Sequence, residues 1–184
     1  MGKYNNLNEQ EMKKIILSIL LSLSLACCSN KNTPSEKEIN INELKEPLIE
    51  ANKKMAKNES EIINRYIARH HLVMKETGTG LRYWIDEKGS GEKAKNGQLA
   101  KVNFKVWLLD GTLCYSSEKT GAKEFLIGQD NVVSGLHEGI AYMRVGGKAK
   151  FIIPSHLAYG LIGDDDKIPF HATIIYDIEL LSLR

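Results

Sequence analysis

Ala158-Tyr159-Gly160 places one tyrosine between two small residues in a glycine-rich loop, where packing alone seldom calls for a phenol. A buried tyrosine hydroxyl wants a hydrogen-bond partner, so Tyr159 is read as a donor to something bound. The segments around it are Gly146-Gly147-Lys148-Ala149-Lys150-Phe151-Ile152-Ile153-Pro154, Ile168-Pro169-Phe170-His171-Ala172-Thr173 and Asp177-Ile178-Glu179-Leu180-Leu181. Together they describe alternating strands, a small apolar set and one phenol. Such a site can hold an apolar segment and ease rotation about a bond, chemistry that uses neither a nucleophile nor a metal.

Other reactive side chains carry weaker signals. Cys114 stands alone, and a free cysteine is usually a small core residue. His70 and His71 are adjacent, so on a helix they do not share a face and make poor joint ligands; a favourable place at a helix C-terminus suits them better. Asp164-Asp165-Asp166 lacks the ligand spacing of a calcium loop and reads as a solvated loop tip.

The elements that must position Tyr159 follow from periodicity. Leu81, Tyr83 and Ile85 alternate with polar residues, as do Ala100, Val102, Phe104, Val106 and Leu108. Asp110-Gly111 signals a hairpin, with Leu113–Ser117 as its return strand. Lys123–Ile127 reads as a short strand ending at Gly128. Residues 134–143 read as one short amphipathic helix capped by Ser134, with Glu138 satisfying a first-turn amide. Lys148–Ile153 and Thr173–Leu183 are the late strands, framing an irregular loop over 154–170. Upstream, Leu48, Ala51, Met55, Ile62, Ile63, Tyr66, Ile67 and Leu72 recur at helical spacing. That helix is expected to open at Glu46-Pro47, break near Asn58-Glu59-Ser60 and stop at Gly78 and Gly80, and to serve either a partner surface or its own domain. Many antiparallel strands and one short covering helix indicate an α+β fold.

The 184 residues carry 25 basic and 23 acidic side chains, a net +2 that is too balanced to argue for a nucleic-acid partner. Lys13-Lys14 precede the apolar run Ile15–Ala26, which is shorter than the roughly 20 apolar residues of a membrane span. A basic flank, a short apolar centre and a small residue before cysteine make an export signal. Leu25-Ala26-Cys27 resembles the end of a bacterial lipobox, which makes Cys27 the expected site of lipidation and the anchor to a membrane. Met12 is a second candidate start. Residues 28–45, polar and proline-containing over Ser29–Glu38, read as a flexible tether. The expected organisation is therefore a signal over 1–27, a tether over 28–45, a helical extension over 46–76 and a folded domain over 77–184.

From Gly80 onward the sequence resembles the FKBP family of peptidyl-prolyl cis-trans isomerases. The resemblance rests on Val102-Asn103-Phe104, Asp110-Gly111 with Ser116-Ser117, Phe125-Leu126-Ile127-Gly128 and Val132-Val133-Ser134-Gly135-Leu136-His137-Glu138-Gly139. It continues through Ala158-Tyr159-Gly160 and Ile168-Pro169-Phe170-His171-Ala172-Thr173, six motifs in the family's order. The layout, with its Thr77–Tyr83 lead-in and Cys114–Ser117 hairpin, is also similar to FKBP-type lipoproteins associated with gliding motility in Bacteroidetes.

The resemblance implies a curved antiparallel sheet wrapped on one short helix, with an N-terminal helical extension. It implies an isomerase that needs no cofactor, acts on proline-containing polypeptides and faces the periplasm from a lipid anchor. It assigns Leu136 to the floor of a prolyl pocket, Phe104 and Tyr176 to its walls, and Tyr159 and the Ile168 amide to substrate carbonyls. Cys114, Tyr115, Phe125, Val132 and Val133 complete the substrate-binding set, with Val133 also offering its amide. The sequence departs from the family pattern at Phe104 for a tyrosine, Cys114-Tyr115 for Phe-Asp and Leu136 for a tryptophan, and it lacks the family's loop histidine, with Asp164 nearby. The pattern therefore implies one hydroxyl and one carboxylate fewer at the pocket.

Overall fold

The computed structural model describes residues 41–184, with side chains from residue 45. The expected signal, Cys27 and most of the expected tether lie outside the described residues.

Helix α1 spans Ile41–Arg69 without a break. It begins earlier than expected, takes in the last residues assigned to the tether, and holds Pro47 inside rather than at its first turn. Nor does it break near Glu59: that residue and Ser60 are partly buried and face the domain. The helix stops at Arg69, well before the glycines expected to end it. His71 takes a positive φ of 52° there, and the Leu72 amide bonds back to the Ile67 carbonyl at 3.0 Å. This is the closure in which glycine is the usual residue.

Seven antiparallel strands follow: β1 (Lys75–Glu76), β2 (Arg82–Glu87), β3 (Leu99–Leu108), β4 (Leu113–Ser116), β5 (Lys123–Leu126), β6 (Lys148–Ile153) and β7 (Ile174–Leu183). Their order is β1-β2-β6-β7-β3-β4, with β5 pairing the start of β3. Two short helices interrupt them, α2 (Ser117–Thr120) and α3 (Ser134–Ile140). The alternation expected from the sequence sets the two faces. Leu81, Ala100, Val102, Val106, Phe151, Tyr176, Ile178 and Leu180 pack inward with Leu136 and Ile140 of α3 in the main core.

Two glycines let α3 lie this close to β6. A Cβ at Gly135 would stand 2.4 Å from Ile153, and one at Gly139 would stand 2.6 Å from Phe151. Ser134 does not cap the helix; Val133 occupies the cap position, and Ser134 Oγ donates to the Leu157 carbonyl at 3.2 Å. Glu138 likewise leaves the first turn and accepts a hydrogen bond from Thr79 Oγ1 at 2.7 Å.

The outer face is covered by the end of α1. Register aligns Arg82 with Ile152, Ile152 with Ile175 and Ile175 with Trp107. Ile63 is fully buried against this row, with Tyr66 and Ile67 beside it. The spacing 59, 63, 66, 67 gives one helical stripe, while residues 45–58 are exposed. Thus the last turns of α1 belong to the domain's own packing. Arg82, only 3% exposed, sits at the end of this row. Its guanidinium donates to the Gly80 carbonyl at 2.6 Å, Ser60 Oγ at 2.7 Å and Asn64 Oδ1 at 3.3 Å, and pairs with Glu76 at 2.9 Å. A buried charge persists only when paired in this way. Among the described residues, no helix is long and apolar enough to cross a membrane.

Candidate active site

A cavity of about 430 Å³ opens between the inner face of the sheet, α3 and the loop after β6. Five of the sequence-assigned residues line it: Phe104 and Tyr176 from neighbouring strands, Tyr115 from β4, Leu136 from α3 and Tyr159 from the loop. Val102 and Val106 extend the apolar lining, and residues 120–123 form one rim. The Phe104 and Tyr176 rings stand 6.2 Å apart, tilted by 39°. Leu136 is 2% exposed, which suits a floor.

The other assigned residues belong to the surrounding core and do not line the cavity. Phe125 is buried, edge-on to His137 at 5.8 Å. Val133 caps α3, and Val132 packs partly buried beside it. Cys114 is buried, its thiol 3.7 Å from the Lys167 carbonyl, and burial first, then the Asp164 charge, pushes its thiol up. Ile168 is buried, and its amide donates to Asp164 Oδ1 at 2.7 Å. In this structure that donor is engaged inside the loop.

Asp164 overturns its reading as part of a solvated tip. Asp165 and Asp166 are exposed, but Asp164 is partly buried and lines the cavity. Its Oδ1 accepts from the amides of Asp166, Lys167 and Ile168 at 3.1, 2.9 and 2.7 Å. Its Oδ2 accepts a hydrogen bond from the Tyr115 hydroxyl. Burial alone would raise this carboxyl, but the Tyr115 hydroxyl and the three amides outweigh it and hold Asp164 below the usual carboxylate range. The carboxylate that the Cys114-Tyr115 departure removes from the hairpin is thus present, supplied by the opposite loop. The triple-aspartate run could have signalled it, since a carboxylate followed by free amides forms a turn of its own.

Tyr115 is therefore a clasp as well as a wall. Its hydroxyl also reaches Asp166 at 3.2 Å, and Lys167 Nζ lies 4.9 Å from its ring centre. Burial first, then hydrogen bonding to Asp164, pushes its phenol far above the ordinary range. Tyr159 differs. Burial first, then the Asp164 charge, raises its phenol, and no hydrogen bond to a described residue contributes. Its hydroxyl is held protonated at neutral pH, partly desolvated and free to donate. The Tyr176 phenol is likewise raised by burial, first, and by Tyr159.

A second cleft, about 560 Å³, lies by the strand charges. Its lysines are paired, Lys105 with Glu118, Lys148 with Glu87 and Lys150 with Asp177, so it offers little free polar chemistry. Among the described residues no cluster of three metal-ligating side chains occurs.

An apolar floor, aromatic walls and one free phenol define a domain shaped to take one apolar side chain together with its adjoining backbone. The family model described as FKBP-type peptidyl-prolyl cis-trans isomerase matches residues 90–181. The FKBP-type peptidyl-prolyl cis-trans isomerase FkpA of Buchnera aphidicola subsp. Schizaphis graminum is 33% identical over 200 aligned residues, covering 100% of this chain and 77% of that protein. The FkpA of Escherichia coli K12 is 36% identical over 111 residues, 60% of this chain and 40% of that protein. The crystal structure of Escherichia coli FkpA matches with a TM-score of 0.62 and 27% identity, covering 98% of this chain and 75% of that one. That of AtFKBP13 matches at 0.58 and 30% identity, covering 61% and 99%. The chain belongs to the FKBP-type peptidyl-prolyl cis-trans isomerase family. It spans only about 40% of the length of several curated relatives, among them the Escherichia coli FkpA.

Proposed function

We propose that the protein catalyses cis-trans isomerisation of Xaa-Pro bonds in exported polypeptides and so assists their folding. The observation that carries this is the Tyr159 hydroxyl, uncommitted within the fold, at the edge of a cavity floored by Leu136 and walled by Phe104 and Tyr176.

Amide resonance sets a rotation barrier of about 18–20 kcal/mol, and an uncatalysed Xaa-Pro bond turns over in roughly tens to hundreds of seconds. Rotation moves no proton and breaks no covalent bond. The planar amide is charge-separated and well solvated, and the twisted one less so. An apolar cavity therefore penalises the starting state more than the transition state. Leu136 holds the prolyl ring, the two aromatic walls exclude water, and Tyr159 anchors a neighbouring carbonyl so that one side of the bond turns against a fixed other side. Each tenfold in rate requires about 1.4 kcal/mol of such differential stabilisation.

The test is refolding of a protein limited by a native cis-proline. Catalytic amounts of this chain should accelerate the slow phase; a slow phase unchanged by a tenth-equivalent of the protein would retire the reading.

A second reading has its own support. Leu161, Ile162 and Phe170 are 63%, 80% and 72% exposed on the loop that carries Tyr159. An apolar rim of this kind holds extended client chains whether or not a bond turns over. If this non-catalytic chaperone role dominates, a Tyr159→Phe variant will suppress client aggregation as well as the parent while losing turnover.

The N-terminal sequence supports export and anchoring at Cys27, with the domain facing the periplasm; the Thr77–Tyr83 lead-in and Cys114–Ser117 hairpin, which resemble those of gliding-motility lipoproteins, support clients that include components of gliding motility. Fatty-acid labelling that survives Cys27→Ser would contradict the anchor.

A further inference from the structure

The loop that carries Tyr159 leaves β6 at Ser155 and rejoins the sheet just after Thr173. Both ends are bound to a residue far away in sequence. Glu59 of α1 accepts from the Ser155 amide at 2.7 Å, from Ser155 Oγ at 2.8 Å and from Thr173 Oγ1 at 2.6 Å. Ser155 and Thr173 are 3% and 6% exposed, so little water competes for these bonds. The chain continues the connection. The Ser155 carbonyl accepts from the Ala158 amide at 3.0 Å and the Gly160 amide at 2.8 Å, the two residues flanking Tyr159. The His171 amide donates to the Gly160 carbonyl at 2.9 Å, closing the loop's far side.

We infer that Glu59 is a positioning residue for the isomerase site: its carboxylate clamps both ends of the loop and thereby fixes where the Tyr159 hydroxyl points. This inference rests on the proposed isomerase activity. Two features set Glu59 apart from ordinary helix docking. Its partners are the loop ends, whereas the neighbouring contacts of α1, from Ser60 and Asn64, go to Arg82 on β2. Its acceptor set is also one that a neutral amide copies only in part. A carboxylate offers two acceptor oxygens and no donor, and all three of its partners here donate. Gln at this position would turn an N–H toward the Ser155 hydroxyl, which would then have to accept and swing its own proton away from position 59, toward His171 Nδ1 at 3.4 Å.

The experiment uses the full chain with Glu59→Gln, with Thr173→Val as a milder second variant and Ser60→Ala as a control for helix docking. Hydrogen exchange at the Ala158 and Gly160 amides is followed without substrate, and kcat/KM is followed on an Xaa-Pro peptide. Glu59→Gln should speed exchange at those two amides by about tenfold or more and lower kcat/KM by up to the roughly 2- to 10-fold loss that removing the Tyr159 hydroxyl itself brings, since misplacement of a catalytic group is costly. Thr173→Val should do the same to a smaller degree, and Ser60→Ala should do neither. In a Tyr159→Phe background the loss from Glu59→Gln should shrink, because residues acting through one another are not additive. Unchanged exchange at Ala158 and Gly160, equal loosening by Ser60→Ala, or full additivity with Tyr159→Phe would each overturn the inference. Exchange is read without turnover, so an inactive wild-type chain would sink the enzyme reading while the clamp itself is still measured.

Discussion

Replacing Tyr159 with Phe separates a donor to substrate from a packing residue. The hydroxyl has no hydrogen-bonding partner among the described residues that contributes to its titration, while the ring lines the cavity and remains in Phe. Folding should therefore lose almost nothing. A change without a lost partner is usually within about 0.5 kcal/mol, or roughly 1–2 °C in Tm for a chain of this size. The substrate loses one neutral hydrogen bond, worth about 0.5–1.5 kcal/mol net. That converts to about a 2- to 10-fold fall in kcat/KM. The assay pairs a protease-free isomerisation measurement with a thermal melt of the same preparation. A melt lowered by more than about 4 °C with a matching activity loss would make the phenol structural. An unchanged kcat/KM would show that it donates nothing to substrate.

Tyr115→Phe should behave oppositely. It removes the hydroxyl that Asp164 accepts, so the Asp164 carboxyl should titrate higher in a carboxyl-detected NMR titration, and the loop should loosen. The pH dependence has a definite sign. Asp164 is depressed in the folded state, so its contribution is present above its unfolded value and is lost as pH falls through the lower folded value. Loop protection measured by exchange should therefore decline only below the ordinary carboxylate range, and earlier in Tyr115→Phe. Gly139→Ala sets a Cβ 2.6 Å from the fully buried Phe151, and overpacking of this kind should cost about 1–3 kcal/mol in chemical denaturation. Leu136→Ala should cost about 2 kcal/mol, the low end for a buried leucine because its cavity side is already open. It should weaken peptide binding as well, read by fluorescence titration.

The strands were legible because inward residues alternate from Ala100 to Leu108, and the β3–β7 pairs from Val102↔Leu180 to Leu108↔Ile174 keep that parity, the register shifting only between Lys101 and Val102. The cavity residues Phe104, Leu136 and Tyr176 were legible only through motif order, since spacing alone does not tell a wall from a core residue, whereas Tyr159 also stood out by its place between two small residues in a loop. What sequence hid is mostly polar and long-range. Glu59 reaches Ser155 and Thr173 across about a hundred residues, and nothing local distinguishes it from its charged neighbours on the helix. Arg82 reads as a solvent-facing residue of an alternating strand, yet α1 buries it. Asp164 hides in a run of three aspartates, of which only the first turns inward. The helix was misread at both ends for local reasons: Pro47 is tolerated inside it, and His71 supplies the positive φ that was assigned to glycine.

The measurement closest to the core of this account is exchange spectroscopy on a short Xaa-Pro peptide with the purified protein at catalytic concentration. Interconversion of the cis and trans signals should rise well above the buffer rate and fall back when the cavity floor is truncated in Leu136→Ala. An interconversion rate equal to that of peptide alone, from protein shown to be folded, would contradict it.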